Sequence, residues 1–457
     1  MANIIIVKPY FYCYNLLLHY FRKEVRVLTF SLKKILSFEF GISLILIATI
    51  WGMSSPEGIG IVYIFLLGYF GLLLAKKKIV IRSNPFLIWF FLTMFFYMWG
   101  LLATTGSPFE YRVVKSDLYV IMWSILFMFI LWGGINERNL ERFVQINKKI
   151  TVCVMFALSL VGLFKYYSLL KGVYYPTFYF DGRYAYGSVL SSDMSMFSLC
   201  MIIALVMCLS LFYRAKTTFQ RFVYLIPITT LTLTVFLSGS RRGFILTIIL
   251  FFIAGLIAIK NSINRKKVVR VIIFLYFAIF IGLIVYTVDI FTGLNLFNLT
   301  ELSNVNQFKY AISRFLTISP DQIGESFSSR SVRWELAFDL IKESSVFNIV
   351  FGSGFDYIGD YRALTIDSID DYPHNFFVSS LLYSGLLGTV FLFLMVIRTF
   401  KTLFKYRKII DFHLILVYLT TFSFMSLSGN SIFSYKLFVF LTILINFLPY
   451  IKRKIIV

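Results

Sequence analysis

The sequence predicts an all-α fold: a polytopic membrane helical bundle of about twelve transmembrane helices, carrying one large extracytoplasmic loop. Three observations predict it. Hydrophobic residues make up 59% of the chain and charged residues only 14%, against about 25% charge in soluble domains. The apolar residues come as separate runs of roughly membrane-spanning length, divided by short basic segments. The basic residues also fall on one side of the resulting topology.

In chain order, residues 1–35 form a cytoplasmic or interfacial start, because the apolar stretch from Ile4 to Leu18 is short and broken by Pro9. Residues 36–290 hold the first nine spans, near 36–53, 58–75, 85–103, 117–133, 150–170, 191–213, 222–238, 243–259 and 269–290. Residues 291–373 form the extracytoplasmic loop. Residues 374–457 carry the last three spans, near 375–397, 411–428 and 432–451, and a cytoplasmic C-terminus.

A net charge of +22 in a soluble chain would suggest nucleic acid. Here roughly 30 of the 44 Lys and Arg fall in the alternate segments that a cytoplasmic N-terminus makes cytoplasmic. Clusters such as Lys76, Lys77 and Lys78 are therefore topology signals, and nucleic acid is not an expected partner. Lys452, Arg453 and Lys454 agree with the basic N-terminal segment, as an even number of spans requires. Lys165 and Lys436 stand within spans, and Lys165, near the outer end of its helix, fits a snorkelling lysine. Cys153, Cys200 and Cys208 fall in spans and Cys13 near the N-terminus, so no disulfide framework is expected. The first residues show no removable signal pattern.

The stretch from Phe291 to Pro373 holds half of the 22 acidic residues, and long ordered loops are usually functional. Trp334, Phe338 and Ile341 recur there at helical spacing, with Arg333, Asp339 and Lys342 at more polar positions. That pattern predicts an amphipathic helix lying against the bundle.

Polar groups at membrane depth are costly and need a reason. Ser238, Gly239, Ser240, Arg241, Arg242 and Gly243 stand between two apolar spans on the outer side, where two arginines run against the charge rule. Snorkelling to headgroups is the structural explanation. The functional one needs partners, and the loop offers Arg330 and Arg333 beside Trp334, with His374 and Asn375 where it re-enters the membrane. Arginine's planar fork suits phosphate or diphosphate oxygens, and a histidine suits proton transfer near neutral pH. Asp367, Asp370 and Asp371 precede His374 and could hold a divalent metal, serve as a base or bind sugar hydroxyls.

Taken in order, these residues resemble the family of O-antigen polymerases and O-antigen ligases, bacterial membrane glycosyltransferases acting on polyprenyl-diphosphate-linked glycans. The resemblance covers roughly residues 181–396. Gly182, Arg183 and Gly187 are similar to the family's arginine-containing outer loop, with Ser191, Ser192 and Asp193 standing where the family carries Asn-Pro-Asn. Ser238 to Gly243 resembles its Ser-Arg-Gly signature. Arg330, Trp334 and the run Phe351, Gly352, Ser353, Gly354, Phe355 are similar to the Arg, Trp and Phe-Gly-x-Gly series of its large loop. His374-Asn375, then Tyr383, Gly385, Leu386, Leu387 and Gly388, resemble the His-Asn and Gly-Leu-Leu-Gly helix that closes it.

The resemblance implies an inverting transfer, independent of metal and cofactor, in which a glycan leaves its lipid diphosphate for an acceptor hydroxyl. It implies catalytic roles for Arg241, Arg330 and His374, and substrate binding by Arg183, Arg242, Arg333, Asp371 and Asn375. His374 is either the base or a further diphosphate contact. The expected partners are an undecaprenyl-diphosphate-linked glycan, membrane lipids and other polysaccharide assembly proteins, at the outer face of a bacterial inner membrane. The expected activity is polymerisation of lipid-linked repeat units; the alternative is ligation of glycan to lipid A core or another acceptor. A transporter or flippase is the reading from another class, and it calls for mid-membrane charge along a path and an internal repeat.

Overall fold

The computed structural model describes residues 85–106, most of 117–128, 137–178 except 172, 189, 194–261 except 239, 320–364, 373, 375–406, 412–426 and 436–452. Every regular element among them is helical. The expected spans near 36–53, 58–75 and 269–290 lie outside the described residues, and that near 117–133 is described in part.

Helix α1 (Pro85–Ala103) begins on a proline, whose missing N–H costs nothing at the first helical position. Helix α2 (Glu137–Leu170) is polar for its first turns and apolar over Val144–Ser168, so it starts well before the span expected at 150. Helix α3 (Met194–Arg214) is buried along most of its length. A helix apolar on all sides belongs at the centre of a bundle, and α3 packs against α2 and against α4 (Thr218–Leu237), α5 (Arg241–Asn261) and α10 (Phe412–Ser426). Within α4, Thr229, Thr230, Thr232 and Thr234 each donate to the carbonyl four residues back. Hydroxyls in an apolar medium must find such partners.

The loop contributes α6 (Pro320–Glu343), α7 (Val346–Phe351) and α8 (Tyr357–Leu364), with a short 3-10 turn, Gly354–Asp356, between the last two. The amphipathic face of α6 differs from expectation. Ala337 is fully buried, and Trp334, Leu340 and Ile341 are half-buried, but Phe338 is exposed. Asp339 and Lys342 pair at 2.8 Å on the solvated side, and that carboxylate holds the Lys342 ammonium above its usual pKa.

Helix α9 (Phe376–Lys405) is not one rod, since Gly385 within it has φ 66° and ψ −170°. Phe377 stacks on Phe393 with ring centroids 4.0 Å apart and planes within 7°. Sixteen residues of straight helix cover about 24 Å, so the chain doubles back at Gly385. Residues 376–384 form a short arm of about 13 Å, and residues 386–405 a long arm of about 30 Å, enough for one crossing. The span expected near 375–397 therefore covers the short arm and the first part of the long arm. The two arms pack with α10 and with α11 (Lys436–Lys452). Asn446 Nδ2 donates to Thr399 Oγ1 at 2.8 Å, and Thr402 Oγ1 donates to Asn446 Oδ1 at 3.0 Å, tying the long arm to α11.

Helices 86–103, 144–168, 194–214, 218–237 and 376–405 are long and apolar enough to cross a membrane. The apolar stretches Arg242–Gly255, His413–Ser426 and Leu437–Phe447 are shorter. The protein is a multi-pass membrane protein.

Candidate active site

The reversal at Gly385 builds a receptor for the loop. Gly352, with φ 87°, and Gly385 face each other: a Cβ on Gly385 would strike the Val350 carbonyl, and one on Gly352 the Tyr383 carbonyl. Positive φ and backbone contact together restrict both positions to glycine. Breaking the helix leaves carbonyls without intrahelical partners. Ser353 takes one of them, donating its N–H (3.0 Å) and its hydroxyl (3.1 Å) to Leu382 O. The next residues dock on the end of α1. Phe355 N donates to Thr104 Oγ1 at 2.9 Å, and the Asp356 carboxylate accepts from Thr105 N (2.7 Å) and Thr105 Oγ1 (2.6 Å). Phe355 stacks on Tyr383, and Tyr97 meets both edge-on. Tyr97 Oη donates to the buried Asp117 at 3.0 Å.

A second set of bonds holds α6 to Pro373, ahead of α9, and to α8. Trp334 Nε1 donates to Pro373 O at 2.9 Å. Tyr361 Oη, fully buried, donates to Arg333 O at 2.9 Å. Arg330 lies on α6 one turn before Trp334, and residues four apart share a helix face. Asn375 is the N-cap of the short arm, its Oδ1 accepting from Phe377 N (3.0 Å) and Val378 N (3.4 Å). That oxygen is committed to the helix start, so a ligand meeting Asn375 is left with its Nδ2.

The third group is the turn between α4 and α5. Ser240 Oγ accepts from Gly243 N at 3.1 Å and lies 2.9 Å from Ser198 Oγ on α3. A Cβ on Gly243 would meet Ser198 at 2.7 Å, so the glycine of the Ser-Arg-Arg-Gly run sets how closely α5 approaches α3. Arg241 is the first residue of α5. Arg242 is half-buried, and its Nη1 is buried with no hydrogen-bond partner among the described residues. Two cations at a helix N-terminus work against its dipole, a conflict that a neighbouring anion relieves.

Among the described hydrogen bonds, the structure joins α6 to the entry of α9 and joins the arginine turn to α3, but not these two groups to each other. Arg183, Asp371 and His374 lie outside the described residues, as do Asp367 and Asp370 and the side chains of Arg241 and Arg330. Arg333 is half-buried. Among the described residues no group of three His, Cys, Asp or Glu could hold a metal.

Sequence reasoning missed three features: the reversal at Gly385, the Tyr97–Asp117 pair and the burial of Lys165. The first had a signal, a glycine pair (Gly385, Gly388) within an apolar run. Lys165 is 0% exposed, which rules out snorkelling to lipid headgroups.

Residues 226–393 match a family model described as O-Antigen ligase. No curated protein matches the chain. The matched stretch runs from α4 to the long arm of α9 and takes in the arginine turn, the loop helices and the Gly385 reversal. That segment of the chain is similar to the O-antigen ligase family, in agreement with the motif resemblance read from the sequence.

Proposed function

We propose that the protein is a polymerase that joins undecaprenyl-diphosphate-linked oligosaccharide repeat units at the extracytoplasmic face of a bacterial inner membrane. The observation that carries this reading is the Trp334–Pro373 bond. It ties the helix that carries Arg330 to Pro373, the residue before His374, and so supports a reading in which a fixed cation and a proton acceptor act on one substrate. The anion-seeking N-terminus of α5, with Arg241 and Arg242, supplies the second cationic element.

In the proposed reaction an acceptor hydroxyl oxygen attacks the anomeric carbon from the face opposite the diphosphate. The anomeric carbon–oxygen bond breaks, and its electron pair leaves on the polyprenyl diphosphate. Arg241 and Arg330 balance the charge that develops there, with Arg183, Arg242 and Arg333 as further contacts. The acceptor proton passes to His374, with Asp371 the alternative acceptor. Inversion follows from a single displacement, and fixed arginines fill the role that a metal fills elsewhere.

A second reading, ligation of glycan to lipid A core or another acceptor lipid, is favoured by the description of the matching family. Deletion and complementation of the gene separate the two, with surface polysaccharide resolved on a gel. A ladder that collapses to one repeat unit is the polymerase result, free lipid-linked polymer is the ligase result, and an unchanged pattern removes both.

A further inference from the structure

Helix α7 reads Val-Phe-Asn-Ile-Val-Phe, five apolar residues in six, yet none of them is buried within the protein. From Ser344 to Phe355 the sequence carries no charge, although the loop around it holds half of the acidic residues. Val346 is 77% exposed and Phe347 56%. An apolar helix left open by its own chain marks a surface that something apolar covers.

What covers it follows from α1. Ile88, Phe91, Phe95, Met98 and Leu102 are exposed at spacings of three and four residues, Leu102 by 80%. They form one face of a helix long and apolar enough to cross the membrane, so this face meets lipid. Trp99 borders the same stripe, four residues after Phe95 and three before Leu102. Phe351, the last residue of α7, packs on Trp99 with ring centroids 6.0 Å apart, and Phe347 packs on Phe351 at 4.9 Å. These three rings extend the lipid face of α1 onto α7 without a polar break. The depth follows from the same helix. Thr104 and Thr105, just past its end, bind Phe355 and Asp356 of the loop, and Trp99 lies one turn, about 6 Å, below Ala103. Interfacial helices bury their apolar side by roughly 5–10 Å, and tryptophans of membrane proteins gather at that level.

We propose that α7 is seated in the bilayer leaflet on the loop's side, with Phe347 and Val346 among the lipid acyl chains. The proposal goes beyond the transfer reaction and does not depend on it. The occupant is the apolar part of the lipid, because the uncharged stretch from Ser344 to Phe355 offers no cation to a headgroup phosphate. Seated there, α7 holds the Gly352–Gly385 contact at the membrane surface, while the Asp339–Lys342 pair on α6 stays in water.

The test is nitroxide labelling of the full-length chain in phosphatidylcholine vesicles, with the four native cysteines replaced by alanine. A label on Phe347→Cys is compared with two references. One is on Leu102→Cys, on the lipid face of α1, and the other on Glu335→Cys, exposed on the same face of α6 as the Asp339–Lys342 pair. Oxygen concentrates in lipid and a nickel chelate in water, so the ratio of their collision rates reads the surroundings of each label. At Phe347 the ratio is expected to match that at Leu102 and to exceed that at Glu335 several-fold. Val346→Cys, at the more exposed position, should give the same reading, and it carries the test if a label at Phe347 disturbs folding. A ratio no higher than at Glu335 puts α7 in water and overturns the proposal. Low collision rates with both reagents mean that protein covers α7, a second copy or another part of this chain, and overturn it equally.

Discussion

Trp334 on the loop helix donates its indole N–H to the carbonyl of Pro373 at 2.9 Å, closing a loop of 39 residues. One indole bond thus sets the distance between the helix that carries Arg330 and the segment that leads into α9. Trp334→Phe keeps a ring of similar shape and removes the donor. Net loss of a hydrogen bond worth about 1 kcal/mol predicts a transfer rate lower by roughly fivefold, with membrane levels unchanged. A radiolabelled lipid-linked repeat unit in a reconstituted assay measures it.

The reversal of α9 depends on Gly385, whose φ of 66° is unfavourable for any residue with a Cβ and whose space is closed by Val350 O. Gly385→Ala is expected to destabilise the fold by about 2 kcal/mol or more. The loss should show as a lower thermal unfolding midpoint of the detergent-purified protein. Gly388→Ala, whose added Cβ would strike the Ser384 side chain, should lower the midpoint as well, without the added strain of a positive φ.

How much of this was legible in the sequence divides along physical lines. The all-helical class was readable because lipid forces long uninterrupted apolar runs, which α1, α3 and α4 display plainly. The motif glycines were readable as motifs but not as partners: that Gly352 faces Gly385 is a contact between segments more than 30 residues apart, and no local pattern carries it. Phe338 was assigned to the buried face of α6 by periodicity alone, and the structure exposes it because Ala337 makes the close contact there. Lys165 was read as snorkelling because sequence gives depth along a helix but not the face turned to the bundle. Arg330 and Arg241 were singled out by their order along the chain, and the bonds of Trp334 and Ser240 describe neighbouring positions rather than those two side chains.

Topology is testable independently of catalysis. A cysteine at Ser329 on α6 should react with an impermeant thiol reagent added from outside, and one at Lys266 should not. The opposite labelling pattern would move the whole site to the cytoplasm.

If fixed arginines supply the charge, transfer in vitro should persist in chelator at close to its full rate. A rate that stops in chelator and recovers with Mn or Mg would shift the chemistry to Asp370 and Asp371.

The central claim, that Arg330 clamps the diphosphate and His374 accepts the proton, is tested most directly by measuring donor binding and single-turnover transfer separately in Arg330→Lys and His374→Ala. Arg330→Lys keeps the charge and loses the bidentate fork, so transfer should fall by roughly tenfold or more. His374→Ala should lower transfer by about a hundredfold or more while leaving donor affinity within a few fold of wild type, because a base acts on the acceptor hydroxyl during reaction. Loss of donor affinity in His374→Ala, with a near-normal rate at saturation, would contradict the assignment and make the histidine a diphosphate contact. Wild-type transfer in both variants would remove the site altogether.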